Sequence, residues 1–196
     1  MERDIERVLV STDEIAARVR EMGNRLAADL MDRMPAEERA DGSSVVLVPI
    51  MTGAVVFLAD LMREMPLKMR LGLVAVTSYP GKSLESKGAS ISSELPADLG
   101  GKHVVIVDDI LDSGQTLALV RRLIAEQAPA SLSACVLLEK KREHAEGVSA
   151  EYVGFTIPDE FVVGYGLDYD GQYRNYPAIA TLKPERVREA GPNSPA

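Results

Sequence analysis

The sequence predicts an α/β protein with a mostly parallel central sheet flanked by helices, and three features of its 196 residues predict it. Val45–Ile50, Val104–Val107 and Leu132–Leu138 are apolar runs of strand length with no polar alternation, as strands buried on both faces require. Between them lie stretches with apolar residues at helical spacing. The resulting order of helix, β, α, β, β, α, β and two short β elements is that of a sheet with crossover helices.

The elements follow in order. Ser11-Thr12-Asp13-Glu14 is a capping-box-like start, and Ile15, Val19, Met22, Leu26 and Leu30 continue at helical spacing, so a helix is expected over 12–34. Pro35 to Ser44 is polar, contains Asp-Gly, and reads as a loop. After the strand at 45–50, Thr52-Gly53-Ala54 turns into a helix that runs to about Met65, with Phe57, Leu58, Leu61 and Met65 on one face, and Pro66 stops it. Leu67–Tyr79 is expected as a strand, and Pro80–Leu99 as a long Ser-, Gly- and Pro-rich segment. The strand at 104–107 precedes a helix over about 114–126 and a strand near 132–138. Shorter strands are expected at 152–155 and 161–165, and the polar tail after Pro184 is expected to fray.

A chain of this length can bury one good core. Its hydrophobic fraction of 46% and charged fraction of 27% are ordinary for a soluble globular protein. A formal charge of −8 argues against a general nucleic-acid binder, which would show a basic face. The single cysteine, Cys135, excludes an intramolecular disulfide, and its place in an apolar run reads as a buried structural thiol. With no apolar stretch of transmembrane length and no basic-then-apolar leader, no membrane partner and a cytoplasmic location are expected.

Residues 104–116, Val-Val-Ile-Val-Asp-Asp-Ile-Leu-Asp-Ser-Gly-Gln-Thr, carry the chemistry. Asp108 and Asp109 sit together at the end of a buried strand, where adjacent carboxylates repel each other and are costly unless hydroxyl groups or a cation bind them. Asp112 follows, then Ser113, Gly114, Gln115 and Thr116 open a helix and offer backbone N–H groups and two hydroxyls where phosphate binds well. Helix capping accounts for one or two of the acids. It does not account for a Val/Ile strand that delivers two of them together. The pattern describes a sugar-phosphate site.

This run resembles the 5-phosphoribosyl-1-pyrophosphate (PRPP) signature of type I phosphoribosyltransferases. A second stretch, Val153-Gly154-Phe155-Thr156-Ile157-Pro158-Asp159-Glu160-Phe161-Val162-Val163-Gly164-Tyr165-Gly166-Leu167-Asp168-Tyr169 followed by Tyr173-Arg174, is specific to the hypoxanthine-guanine branch of that family. From about Val45 to Pro184 the chain is similar to that branch, whose members salvage 6-oxopurines. The resemblance implies a type I phosphoribosyltransferase fold with a small hood and a mobile lid loop. On that basis residues 1–184 form one domain, with a core over 45–140, the mobile loop over 80–99 and a base-binding hood over 141–184, and 185–196 form a flexible tail.

The resemblance also implies roles. Asp108 and Asp109 would hold the ribose hydroxyls, and Ser113 to Thr116 the 5′-phosphate. Asp112 would be the general base, Arg174 would neutralise the departing pyrophosphate, and Asp168 would help hold Mg²⁺, with Asp108 and Asp109 as further candidates. Phe161 would stack on the base, the backbone of Val162 would read its edge, and Lys140 would donate to its exocyclic oxygen. A donating lysine disfavours a 6-amino purine such as adenine. Lys141 is expected to face solvent. Ser78 and Tyr79 would cover the reaction centre. The turn Ile50-Met51-Thr52-Gly53-Ala54 takes the place of the pyrophosphate loop, where many members carry Leu-Lys-Gly and a non-proline cis peptide. Here Thr52 replaces the lysine, leaving the backbone of Thr52 and Gly53 to bind and putting PRPP affinity in question. Gly81-Lys82-Ser83 is not the end of a nucleotide P-loop, because position 76 is Val where that motif needs Gly.

The expected activity is transfer of the 5-phosphoribosyl group from PRPP to hypoxanthine or guanine, with Mg²⁺ as cofactor and a homodimer or homotetramer as the assembly. Three rivals are weaker. A nucleotide-sensing RNA-binding regulator needs a basic face and could dispense with Asp112 and Lys140. A xanthine-preferring enzyme would differ by one or two hydrogen bonds at the base edge. A phosphorylated receiver domain lacks the glycine-rich turn after its acids.

Overall fold

The computed structural model describes residues 1–77, 90–91 and 95–189. Its N-terminal strand β1 (Ile5–Val10) leads into α1 (Thr12–Arg33). The Ser11 side chain accepts from the Glu14 backbone N–H and the Glu14 side chain accepts from the Ser11 backbone N–H, so the capping box read in the sequence forms. The expected loop at 35–44 instead contains a short helix, α2 (Ala36–Asp41). Pro35 stands at its N-cap, and Gly42 closes it in the left-handed region with φ 71°. The Asp-Gly pair is thus a helix end.

The main sheet is built from β2 (Val45–Met51), β3 (Arg70–Leu71), β4 (Val74–Thr77), β5 (Ser90–Ile91), β6 (His103–Leu111), β7 (Ser131–Lys140) and β8 (Tyr152–Ile157). Their order is β5-β4-β2-β6-β7-β8, with β3 also pairing β2. All neighbours run parallel except β4 and β5. The expected strand at 67–79 is therefore two short ones. Gly72 separates them: its N–H donates to the Leu47 carbonyl at 2.9 Å, and a Cβ there would lie 2.7 Å from Pro96. Ser78, Tyr79 and most of the 80–99 segment lie outside the described residues. At its end, Leu99 is a core residue, 1% exposed.

Helices α3 (Val55–Arg63) and α4 (Gln115–Ala125) cover opposite faces. Phe57 and Leu61 of α3, with Leu26 of α1, pack with Val45, Leu47, Val105 and Val107. Leu117, Val120 and Ile124 of α4 pack with Val46, Val48, Val104 and Ile106. Alternate residues of β2 and β6 thus feed two cores, which is why these strands are apolar throughout. Cys135 is fully buried in the first core, and burial pushes its thiol pKa up, so it is a packing residue.

A second, two-stranded sheet pairs β1 antiparallel with β9 (Ile179–Leu182). The expected strand at 161–165 is reduced to two isolated bridges, Val163 with Ala180 and Gly164 with Leu167. There Gly164, Tyr165 and Gly166 have φ of 98°, 49° and 108°, which no strand accommodates. The segment after Leu182 begins with a short helix, α5 (Pro184–Glu189). No helix among the described residues is long and apolar enough to cross a membrane.

Phe57 is fully buried between α1, α3 and the sheet. Phe57→Ala is expected to lower unfolding stability by about 3–5 kcal/mol, read from the guanidinium midpoint. A change below about 1 kcal/mol would contradict this packing.

Candidate active site

The sheet reverses its winding between β2 and β6. From β2 the chain crosses through α3 to β4 on one side, whereas β6 leads through α4 to β7 on the other. Ligands of open α/β sheets bind in the crevice outside the strand ends at such a point. The β2–β6 ladder stops at Pro49↔Val107, but β6 continues to pair with β7 as far as Leu111↔Glu139. Asp108 and Asp109 therefore stand on a strand supported on one side only, with the crevice on the other. A cavity of about 280 Å³ opens there, lined among others by Asp108, Asp109, Asp112, Ser113, Gly114 and Thr116.

The acidic pair is tightly enclosed. Asp108 is 7% exposed, and the Asp109 N–H donates to Asp108 Oδ1 at 3.0 Å. Burial, then the neighbouring Asp109 charge, pushes the Asp108 pKa well above its ordinary value. Burial also raises Asp109, against hydrogen bonds and the Arg174 charge, which favour its ionised form. The turn after β2 presses on this pair. The Met51–Thr52 peptide is cis, Met51 and Gly53 line the cavity, and a Cβ on Gly53 would overlap the Asp109 carboxylate. Thr52 is exposed and lies outside the lining.

The phosphate-type turn follows Asp112. Gly114, with φ 82°, is the N-cap of α4, so the first N–H groups of that helix face the crevice end without intrahelical partners. Gln115 is exposed and outside the lining, and its N–H is 3.5 Å from Ser113 Oγ. The turn is braced from behind: Ala145 N–H donates to the Ser113 carbonyl at 2.8 Å, and His144 Nδ1 lies 2.6 Å from the Asp112 carbonyl oxygen.

On one flank, a Cβ on Gly166 would overlap the Gly53 carbonyl, so the left-handed segment at 164–166 packs directly on the turn after β2. Arg174 donates to the Gly166 carbonyl at 2.6 Å and pairs with Asp168 Oδ1 at 2.6 Å. The other Asp168 oxygen accepts from Gly171 N–H at 2.8 Å.

On the other flank, Lys140 at the end of β7 is 11% exposed and reaches Asp112 Oδ2 at 3.0 Å and Asp159 Oδ1 at 3.5 Å. Phe161 is 37% exposed, with its ring edge-on to Tyr169 at 5.3 Å, and Val162 is buried. Lys141 is exposed, as its place in the sequence predicts. Asp112 thus stands between the cavity and a flank with one exposed aromatic face and one enclosed ammonium.

Sequence reasoning assigned no function to Arg142, Asp159 or His144. Arg142 Nη1 lies 2.9 Å from Asp112 Oδ1, and it sits in a run, Glu139 to His144, whose charges read as a solvated surface. Only the proximity of that run to the strand end carrying Lys140 could have signalled it.

Fold and cavity together define a phosphoribosyltransferase domain, and the family model described as phosphoribosyl transferase domain matches residues 11–170. The chain is 38% identical over 185 residues to the hypoxanthine-guanine phosphoribosyltransferase of Streptococcus pneumoniae, covering 94% of this chain and 97% of that protein. It is 40% identical over 181 residues to the corresponding protein of Mycobacterium avium, covering 92% and 87%. A crystal structure of a hypoxanthine phosphoribosyltransferase from Staphylococcus aureus superposes with a TM-score of 0.83 at 36% identity, covering 95% and 96% of the two chains. The chain belongs to the hypoxanthine-guanine phosphoribosyltransferase family.

Because its pKa is raised in the folded chain, Asp108 binds its proton more tightly there than when unfolded. The stability linked to that proton is complete below the ordinary value of 3.8 and is lost as pH rises through the folded value. Asp108→Asn removes the buried charge, so its stability relative to the parent protein should improve as pH rises from 3.8 through the folded value. Parallel stability–pH curves for the two proteins in ligand-free denaturant titrations would refute this.

Proposed function

We propose that this chain transfers the 5-phosphoribosyl group of PRPP to hypoxanthine or guanine, giving the nucleoside monophosphate and pyrophosphate in purine salvage. The observation that carries the reading is the placement of Asp112, which faces the sugar-phosphate cavity and is tied to the buried ammonium of Lys140.

The geometry supports each step. The 5′-phosphate sits at the α4 N-terminus against Ser113, Gly114, Gln115 and Thr116, where helix dipole and N–H groups favour an anion. Asp108 and Asp109 accept from the ribose hydroxyls, which replace part of the hydration that burial removed. The purine stacks on Phe161, beside the backbone of Val162, and Lys140 donates to its exocyclic oxygen. Adenine offers an amino group there, so donor would meet donor. One imidazole nitrogen attacks C1′ as the C1′–O bond to pyrophosphate breaks and its electron pair leaves with the pyrophosphate. The proton on the other imidazole nitrogen passes to Asp112, whose effectiveness depends on position more than on basicity. Arg174 meets the developing pyrophosphate charge beside the turn of Thr52 and Gly53.

The carboxylates suit a Mg²⁺ ion in their chemistry: Asp108 and Asp109 are desolvated hard-oxygen donors, and Asp168 is a partly exposed one paired with Arg174, whose charge reaches Asp109. When bound with substrate, Mg²⁺ would neutralise pyrophosphate charge, held by Asp168 through water with Asp108 and Asp109. A homodimer or homotetramer is supported by the exposed Leu71 and Leu73 on either side of Gly72. A cytoplasmic location agrees with a lone, fully buried thiol.

Incubation of the pure protein with PRPP, Mg²⁺ and each of hypoxanthine, guanine, xanthine and adenine tests the reading. Nucleotide is expected from hypoxanthine or guanine and none from adenine, with kcat lowered at least about 100-fold in Asp112→Asn. Absence of product from both 6-oxopurines would sink it.

A further inference from the structure

The base flank holds more charge than one lysine reading a carbonyl requires. Two cations and two carboxylates meet there, and each cation touches both acids. Lys140 Nζ reaches Asp112 Oδ2 at 3.0 Å and Asp159 Oδ1 at 3.5 Å. Arg142 Nη1 reaches Asp112 Oδ1 at 2.9 Å and Asp159 Oδ1 at 3.6 Å. The two Asp112 oxygens are therefore divided between the cations, Oδ2 to Lys140 and Oδ1 to Arg142.

That division matters once a base arrives. Lys140 must turn from Asp112 to the exocyclic oxygen, and Asp112 Oδ2 must then accept the base proton. A carboxylate held by Lys140 alone would lose its anchor at that moment, because rotation about its terminal torsion is broad. We propose that Arg142 is a positioning residue for this reaction: by keeping Asp112 Oδ1, it holds Oδ2 on the base nitrogen while Lys140 is engaged elsewhere. The inference rests on the reading of Asp112 as proton acceptor.

A guanidinium suits the task better than a second ammonium, since its planar donors fix a carboxylate's orientation and it keeps its charge at any working pH. Stability does not explain the pair. Arg142 and Asp112 have side chains 41% and 40% exposed, and ion pairs at that exposure add little to folding. The segment that carries Arg142 fixes the main chain of the same residue, because His144 Nδ1 meets the Asp112 carbonyl. His144 Nε2 faces Glu139 Oε1 at 3.7 Å. The charged and titratable groups facing Asp112 are thus Lys140 from β7, Arg142 and His144 from the following segment, and Asp159.

The test compares Arg142→Ala, Arg142→Gln and Arg142→Lys with the solvent-facing control Lys141→Ala, under hypoxanthine, PRPP and Mg²⁺. Arg142→Ala and Arg142→Gln should lower kcat about tenfold while the KM for PRPP stays within about twofold. Arg142→Lys should restore part of kcat. An unmoved kcat in Arg142→Ala and Arg142→Gln would overturn the proposal. A PRPP KM that rises in step with the loss of kcat would overturn it too, because it would mean that the segment only braces Ser113. A parent protein that makes no nucleotide would instead sink the reaction itself, and the proposal with it.

Discussion

Two carboxylates on consecutive residues, carried past the point where β2 stops pairing, set the terms for the rest of the crevice. Asp108 and Asp109 cannot withdraw, because β6 stays hydrogen-bonded to β7 beyond them. Burial disfavours both ionised forms, and the Asp109 charge pushes Asp108 further up. The surroundings have adjusted to the acids. Gly53 has no Cβ because the Asp109 carboxylate fills that place, and Gly166 has none because the Gly53 carbonyl fills its own. Arg174 bonds the Gly166 carbonyl and also sends its charge towards Asp109. One electrostatic demand thus runs through two glycines to a cation more than sixty residues away in the chain.

The polar work divides at Asp112. Towards the α4 N-terminus the site is made of backbone N–H groups and hydroxyls, which suit an anion with little sequence-specific shape. Towards β7 and the hood it is made of one exposed aromatic face, one enclosed lysine and a second cation. The chain carries a net charge of −8, yet Lys140, Arg142 and Arg174 are gathered around its acidic crevice. A negative protein that handles phosphorylated substrates needs that concentration, because the average field around it repels them.

The parallel core was legible because its strands are buried on both faces and so carry no alternation to confuse the reading. Helix α1 was legible through Ser11 and Glu14, whose reciprocal capping is a local property. The acids at 108, 109 and 112 were legible because a buried strand ending in carboxylates has few structural excuses. Other features depended on partners distant in sequence. β1 has burial at only one end, so its Ile-Glu-Arg-Val-Leu-Val pattern gave no clear face until β9 paired with it. Pro96 determines the break at Gly72, and the Tyr176 and Arg174 carbonyls hold the left-handed residues 165 and 166. Arg142 looked like surface charge because nothing local says that residues 140 and 142 flank one carboxylate.

The substitution of Thr52 in the turn after β2 shows how such a site can lose a side chain and keep its logic. Many family members place a lysine there, and its absence removes a positive charge from beside the anion. Thr52 is exposed and does not line the cavity, whereas Met51 and Gly53 do. The turn therefore presents its backbone to the cavity, next to the start of α3, whose dipole favours negative charge. The charge itself must come from elsewhere, and Arg174 already stands on the Gly53–Gly166 contact with its guanidinium shared between a carbonyl and Asp168. An arginine fixed at both ends has little orientational entropy left to lose when an anion arrives. A lysine in the turn would carry the same charge on a flexible stem. The chain thus lacks the mobile cation in the turn and keeps the preorganised one across it, and the neighbouring glycines are what let the two sides come that close.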